Sequence, residues 1–302
     1  MEISELKKDL AAAFRWTAKL NMHEGIANHF SVCIPNSKDF YVNGSGMHFS
    51  TIKASDLILV EQSKIEEMKK NPDLVDPTAI NIHGAIHKKV SHARCILHVH
   101  SKYATALSVL KNPTLPPIDQ NTMRFYNRVT VYNDFGGLGF EEESNKMTAC
   151  IGNHRTMLLA NHGILTTGQN VAQAFDELYY FEKACETYIT ALSTHKELKI
   201  ATPEVAEKTA QDWENYPTGL GELHLKAIRS VLKPDEKTYT LSHDASGDVY
   251  TESEKMQDEL EPIDDTFKRY ESYREWNKTH DNYKILYSPT NTDEHGKKIK
   301  DD

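Results

Sequence analysis

The sequence predicts an α/β layered domain, and two observations carry that reading. Short apolar strands alternate with helical stretches up to about residue 195, the mark of a layered domain. Several strands end in Gly, Pro or Asn turns.

Taken in order, residues 3–21 place Ile3, Leu6, Leu10, Ala13, Phe14, Ala18 and Leu20 at helical spacing. Residues 29–34 alternate as a strand that stops at Pro35-Asn36, and residues 39–43 form its hairpin partner, ending at Gly44-Ser45-Gly46. Leu57–Glu61 is a further strand. Asp76-Pro77 starts a helix over 78–90, because proline suits the first turn. Residues 94–99 form the strand with two histidines, and Ser101 is placed to cap a helix over 102–110. A loop with Pro113, Pro116 and Pro117 leads to Asp119–Arg124. Residues 128–132 form a strand, 140–151 a helix, 156–160 and 164–167 strands, and 171–192 a long helix. Residues 203–213 and 221–232 are two more helices. The reading divides the chain into a domain over 1–232 and a polar tail over 233–302, in which Tyr270, Tyr273 and Trp276 mark a docked helix.

The chain has 302 residues and a formal net charge of -9, which disfavours a groove for nucleic acid. Its four cysteines, Cys33, Cys95, Cys150 and Cys185, form no CxxC pair and read as reduced thiols of a cytoplasmic protein. No stretch approaches the roughly 20 apolar residues of a membrane span, and no leader is expected.

His98 and His100 lie two apart on a strand and therefore share a face. Two neutral imidazoles aimed at one point suit zinc, iron or manganese. His162, in Asn161-His-Gly163 after another apolar strand, can supply a third nitrogen and leave a coordination position open. His83 and His87 are four apart on a helix, but no Glu lies between them. They are expected to line a surface or a subunit contact. The loops Glu24–His29 and Gly44–Gly46 could offer backbone N–H groups to an anion or be plain turns. Arg124 could clamp a carboxylate or phosphate or form a structural ion pair.

The runs Asn81–Lys88, Ile96–Ser108 and Leu158–Leu165, with Glu24–Ser31 and Gly46–Ser50, resemble the class II aldolase/adducin head-domain family over roughly residues 5–230. The resemblance implies an α/β/α sandwich with a largely antiparallel sheet and a helical C-terminal extension. It implies one divalent metal per subunit on His98, His100 and His162, usually zinc with iron or manganese as alternatives, and a homo-oligomer, commonly a tetramer. It implies a lyase-like activity, aldol cleavage or decarboxylation of a small oxo- or hydroxy-acid through a metal-stabilised enediolate. Asn28, Ser45, Gly46 and Arg124 are the expected substrate contacts. The family's Ser-Ser-Glu run falls on Pro77-Thr78-Ala79, so its acid/base carboxylate is replaced by Ala79. His29, Tyr126 or a metal-bound water then becomes the expected proton carrier. Two alternatives are an adducin-like scaffold associated with actin, whose basic tail would shrink here to Lys297–Lys300, and a non-haem iron oxygenase.

Overall fold

The computed structural model describes residues 2–137, 141–216 and 219–232. The expected tail over 233–302, with its helix at Tyr270–Trp276 and its basic tip, lies outside the described residues, as does the expected helix start at Phe140.

The described strands are β1 (His29–Cys33), β2 (Phe40–Val42), β3 (Ile58–Val60), β4 (Cys95–Val99), β5 (Val129–Tyr132), β6 (Thr156–Leu159) and β7 (Gly163–Gly168). They form one sheet in the order β3-β2-β1-β4-β7-β6-β5. Each pairing is antiparallel except β5 with β6. The helices are α1 (Ile3–Lys19), α2 (Ile65–Met68), α3 (Pro77–Lys89), α4 (Lys102–Ser108), α5 (Gln120–Arg124), α6 (Glu141–Ile151), α7 (Val171–Ser193), α8 (Pro203–Glu214) and α9 (Leu220–Val231).

Alternation along β4 assigns the layers. Cys95, Leu97 and Val99 join Phe14 of α1, Leu107 of α4, Phe175 and Phe181 of α7 and Ile228 of α9 in one apolar core. Ile96 points the other way, against Ile82 and Ile86 of α3 and Met147 of α6. Helices therefore cover both faces of a largely antiparallel sheet, as expected. Phe14 stacks on Phe30 of β1 at 4.7 Å and meets Phe49 edge-on at 4.6 Å, centroid to centroid. Each such ring stabilises the fold by about 1.5–3 kcal/mol through area removed from water.

Asp76 starts α3 as the sequence suggests. Its carboxylate accepts from the Thr78 N–H at 2.7 Å, and Pro77 occupies the first turn. Ser101 departs from its expected role, since its hydroxyl donates to Glu182 Oε2 at 2.6 Å instead of capping α4. The Glu182 carboxylate caps the helix in its place, accepting from the Tyr103 and Ala104 N–H groups at 2.8 and 2.9 Å. Beyond the proline loop, where the sequence reading assigned no element, Asp119 and Thr122 form a reciprocal cap that winds Gln120–Arg124 into a short helix.

Candidate metal centre

The antiparallel pairing of β1 with β4 sets His29 opposite His98. The side chain of His98 emerges on the α3 side of the sheet, and His100 follows just beyond the end of the strand. The turn carrying His162 has a local cause. Asn161 adopts φ +56°, a left-handed conformation that Asn tolerates better than most residues. Gly163 follows because a Cβ there would come within 2.6 Å of the Val99 carbonyl oxygen and 3.0 Å of the His100 ring. The Asn-His-Gly run is thus a backbone requirement that swings an imidazole over the end of β4.

The three Nε2 atoms form a triangle: His98 to His100, His100 to His162 and His98 to His162 are each 3.2 Å. This is the one group of three His, Cys, Asp or Glu side chains among the described residues whose ligand atoms converge as a metal site requires. Zn–N bonds of about 2.0–2.1 Å set such nitrogens roughly 3.0–3.4 Å apart, so the edges fit a divalent ion. Proton placement fits as well. His98 Nδ1 donates to the Ile164 carbonyl at 2.9 Å, and His100 Nδ1 donates to Glu24 Oε2 at 2.5 Å. A neutral ring whose Nδ1 proton is so engaged presents a bare Nε2, and His98 and His100 set these atoms against each other, where lone pairs repel. A cation between them removes that repulsion. Burial holds His98 well below the usual imidazole range, with His29, His100 and His162 adding to the effect. His162 is brought down to about 4 by burial first and the neighbouring His100 second. Both are therefore neutral at pH 7, as ligands must be. Phe135 stacks on the His162 ring at 4.0 Å and fixes its plane.

Glu24 went unnoticed as a site residue in the sequence. Its loop is closed by two bonds, Ala27 N–H to the Glu24 carbonyl and Glu24 N–H to Asn28 Oδ1, at 3.0 and 2.7 Å. The β1–β4 pairing then carries the carboxylate to His100. Asp76 also went unnoticed. Its charge partly offsets the burial that lowers His29 to about 4.

The expected substrate contacts are placed unevenly. Asn28 is buried, and its Nδ2 has no hydrogen-bond partner among the described residues. The Ser45 N–H is committed to the Leu74 carbonyl at 3.0 Å, so it is not free for an anion. Gly46 lies exposed at φ +71°. Arg124 pairs with Asp176 at 2.8 Å and Glu177 at 3.5 Å, beneath the rings of Tyr180 and Trp213. That is the ion-pair alternative of the sequence reading, although its Nη1 has no partner among the described residues. Tyr126 is half-buried. Ala79 is buried among Phe40, Val42 and Ile80 in an apolar cluster.

His83 and His87 correct an expectation. They line neither a surface nor a subunit contact but are completely buried on the inner side of α3. Helical spacing showed that they share a face and not which face it was. The isoleucines beside them, Ile82 and Ile86, face the sheet, and the histidines follow them inward toward the hydroxyl of Ser31 on β1.

The sequence profile of the Class II Aldolase and Adducin N-terminal domain matches residues 8–189. An aldolase class 2 protein by name, from Pseudomonas aeruginosa, is 30% identical over 195 residues, which are 64% of this chain and 74% of that protein. Decarboxylase NovR of Streptomyces niveus is 29% identical over 217 residues, 71% of this chain and 79% of its own. The solved structure of L-fuculose 1-phosphate aldolase from Glaciozyma antarctica superposes with a TM-score of 0.66 at 26% identity, covering 76% of this chain and 91% of that one. With the sheet order and the histidine triangle already in view, these likenesses place the chain in the class II aldolase and adducin N-terminal domain family.

Proposed function

We propose that the chain is a metal-dependent lyase that breaks a carbon–carbon bond in a small oxo- or hydroxy-acid, by aldol cleavage or decarboxylation. The observation that supports this most is the triangle of Nε2 atoms at 3.2 Å. His98, His100 and His162 would hold one divalent ion, zinc by preference of a three-His set with an open position. Such an ion supplies Lewis acidity, stabilising negative charge as it develops on substrate oxygens in an enediolate-like transition state.

The protein's own groups supply the rest. Glu24 holds the His100 ring in its ligating tautomer. Asn28 Nδ2, buried and unpartnered, is a ready donor to a substrate carboxylate or phosphate, since an unmet buried donor costs about 1–3 kcal/mol. His29, beside His98 at a ring separation of 5.0 Å, stands in for the carboxylate that Ala79 lacks and carries the proton that bond cleavage must deliver or remove. Likeness to a named aldolase and a named decarboxylase supports the reaction class without choosing between them. The assembly is a homo-oligomer, a tetramer, of a cytoplasmic protein, which light scattering of the purified chain tests.

The decisive experiment incubates purified protein with a panel of 2-oxo acids and with L-fuculose 1-phosphate, with and without chelator. Carbon dioxide or aldehyde release that is lost on chelation and restored by zinc is expected; turnover indifferent to chelation overturns the reading. The missing carboxylate at Ala79 also favours a non-catalytic, adducin-like scaffold, for which actin co-sedimentation without any turnover is the expected outcome. Oxygen uptake that depends on added iron would instead select the oxygenase.

A further inference from the structure

His29, Ser31, His83 and His87 form a continuous hydrogen-bonded chain beneath the metal centre. His29 Nδ1 lies 2.7 Å from His83 Nε2, and His83 Nδ1 contacts Ser31 Oγ. Ser31 Oγ lies 2.7 Å from His87 Nε2, and His87 Nδ1 lies 2.7 Å from the Ala93 carbonyl oxygen. All four side chains are buried.

The far end of the chain decides the direction of every link. A carbonyl oxygen only accepts, so His87 must place its proton on Nδ1. Burial keeps these rings neutral: His87 is lowered to about 3, against the hydrogen bond to Ala93, and His83 is held well below the usual range. A neutral ring has one N–H, so His87 Nε2 is bare and accepts from the Ser31 hydroxyl. Ser31 has then spent its only proton, so its oxygen accepts from His83 Nδ1–H. His83 Nε2 is left bare and accepts from His29 Nδ1–H. The last atom of the series, His29 Nε2, must carry a lone pair. No hydrogen bond among the described residues uses that atom.

We propose that Ser31, His83 and His87 are positioning residues that lock His29 into the Nδ1–H tautomer and aim a bare Nε2 at the space beside the His98–His100–His162 triangle. The logic is that of a base oriented by a third group, extended by two further links and anchored on a main-chain carbonyl instead of a carboxylate. A carbonyl anchor orients without adding negative charge, so the lock leaves the buried layer uncharged. The role of His29 as proton carrier rests on the lyase reading; the locked tautomer does not.

The test reads tautomers directly, on the full chain stripped of metal and labelled with nitrogen-15 in its histidines. Multiple-bond proton–nitrogen correlation at pH 7 should show His29, His83 and His87 each as a single Nδ1–H form. Ser31→Ala should leave His83 and His29 as mixtures of both tautomers. Ser31→Thr, which restores the hydroxyl on a residue suited to a strand, should return the single form. An Nε2–H form of His29 in the unaltered protein overturns the proposal, and that measurement stands even should Ser31→Ala fail to fold. An unchanged His29 spectrum in a folded Ser31→Ala protein overturns it as well. Correct tautomers in a protein with no lyase turnover would sink the proposed reaction and leave the lock standing.

Discussion

Two groups of three imidazoles lie side by side in this protein, and they are connected in opposite ways. In His98, His100 and His162 the Nε2 atoms converge on one point, with edges of 3.2 Å. In His29, His83 and His87 the rings run head to tail through Ser31, each lone pair filled by a neighbour's proton until the last. Residue type is the same, though the second group is buried throughout while His100 and His162 of the first are partly exposed. The difference lies in where the Nδ1 protons go. Outward acceptors, Ile164 and Glu24, draw the Nδ1 protons of His98 and His100 away from the space between the rings. The second group passes its protons inward. One arrangement calls for a cation, and the other is complete without one.

The strongest way to break this comparison is His162→Ala. Removing a ligand atom should weaken zinc binding by more than about a hundredfold, beyond the loss typical of an outer hydrogen-bonding partner. Metal content after dialysis against a weak chelator checks it. Retained stoichiometric zinc would mean that the triangle is not the site.

Acid should act on the second group. His83 and His87 titrate below 6.5 in the folded protein, His87 at about 3, because burial disfavours their charged forms. The unfolded chain therefore binds protons first as pH falls below about 6.5, and stability drops with it. Each ring contributes up to about 1.4 kcal/mol per pH unit, lost as pH falls below 6.5 and, for His87, down to about 3. Urea unfolding of metal-free protein at pH 7.5 and 5.5 should show the loss. It should persist in His162→Ala, since these two rings lie outside the triangle.

Gly163→Ala tests how far the triangle depends on its backbone. The added methyl would sit 2.6 Å from the Val99 carbonyl oxygen, so a stability loss of about 1–3 kcal/mol is expected, together with weaker metal binding. Denaturant midpoints and metal content report the two effects separately. Glu24→Gln should have the mildest effect. The amide keeps an acceptor for His100 Nδ1 and loses the charge, which predicts roughly tenfold weaker metal binding with unchanged folding. Competition titration against a zinc-sensitive dye measures it.

The first group was readable in the chain because its logic is local. Two residues on a strand share a face, and a turn with Asn and Gly can present a third. The layered α/β class was readable for the same reason, from alternation and turn chemistry, whereas the largely antiparallel sheet was expected only from the family resemblance. The partners were not. Glu24 reaches His100 only through the pairing of β1 with β4, and Glu182 displaces Ser101 as the α4 cap from a helix some 80 positions later. The His83–His87 pair shows the same limit more sharply. Its spacing is local, but its burial depends on a serine 52 positions earlier. Periodicity reveals which side chains travel together, and only tertiary pairing reveals what they meet.

The placement of the triangle at the very end of β4 has a consequence for stereochemistry. His98 is sealed inside the protein while His100 and His162 retain some exposure, so the shared point is closed on the His98 side. A flat, prochiral group docked there would turn one of its faces to the interior and offer the other to an incoming reagent. Handedness of the product would then follow from where a strand stops.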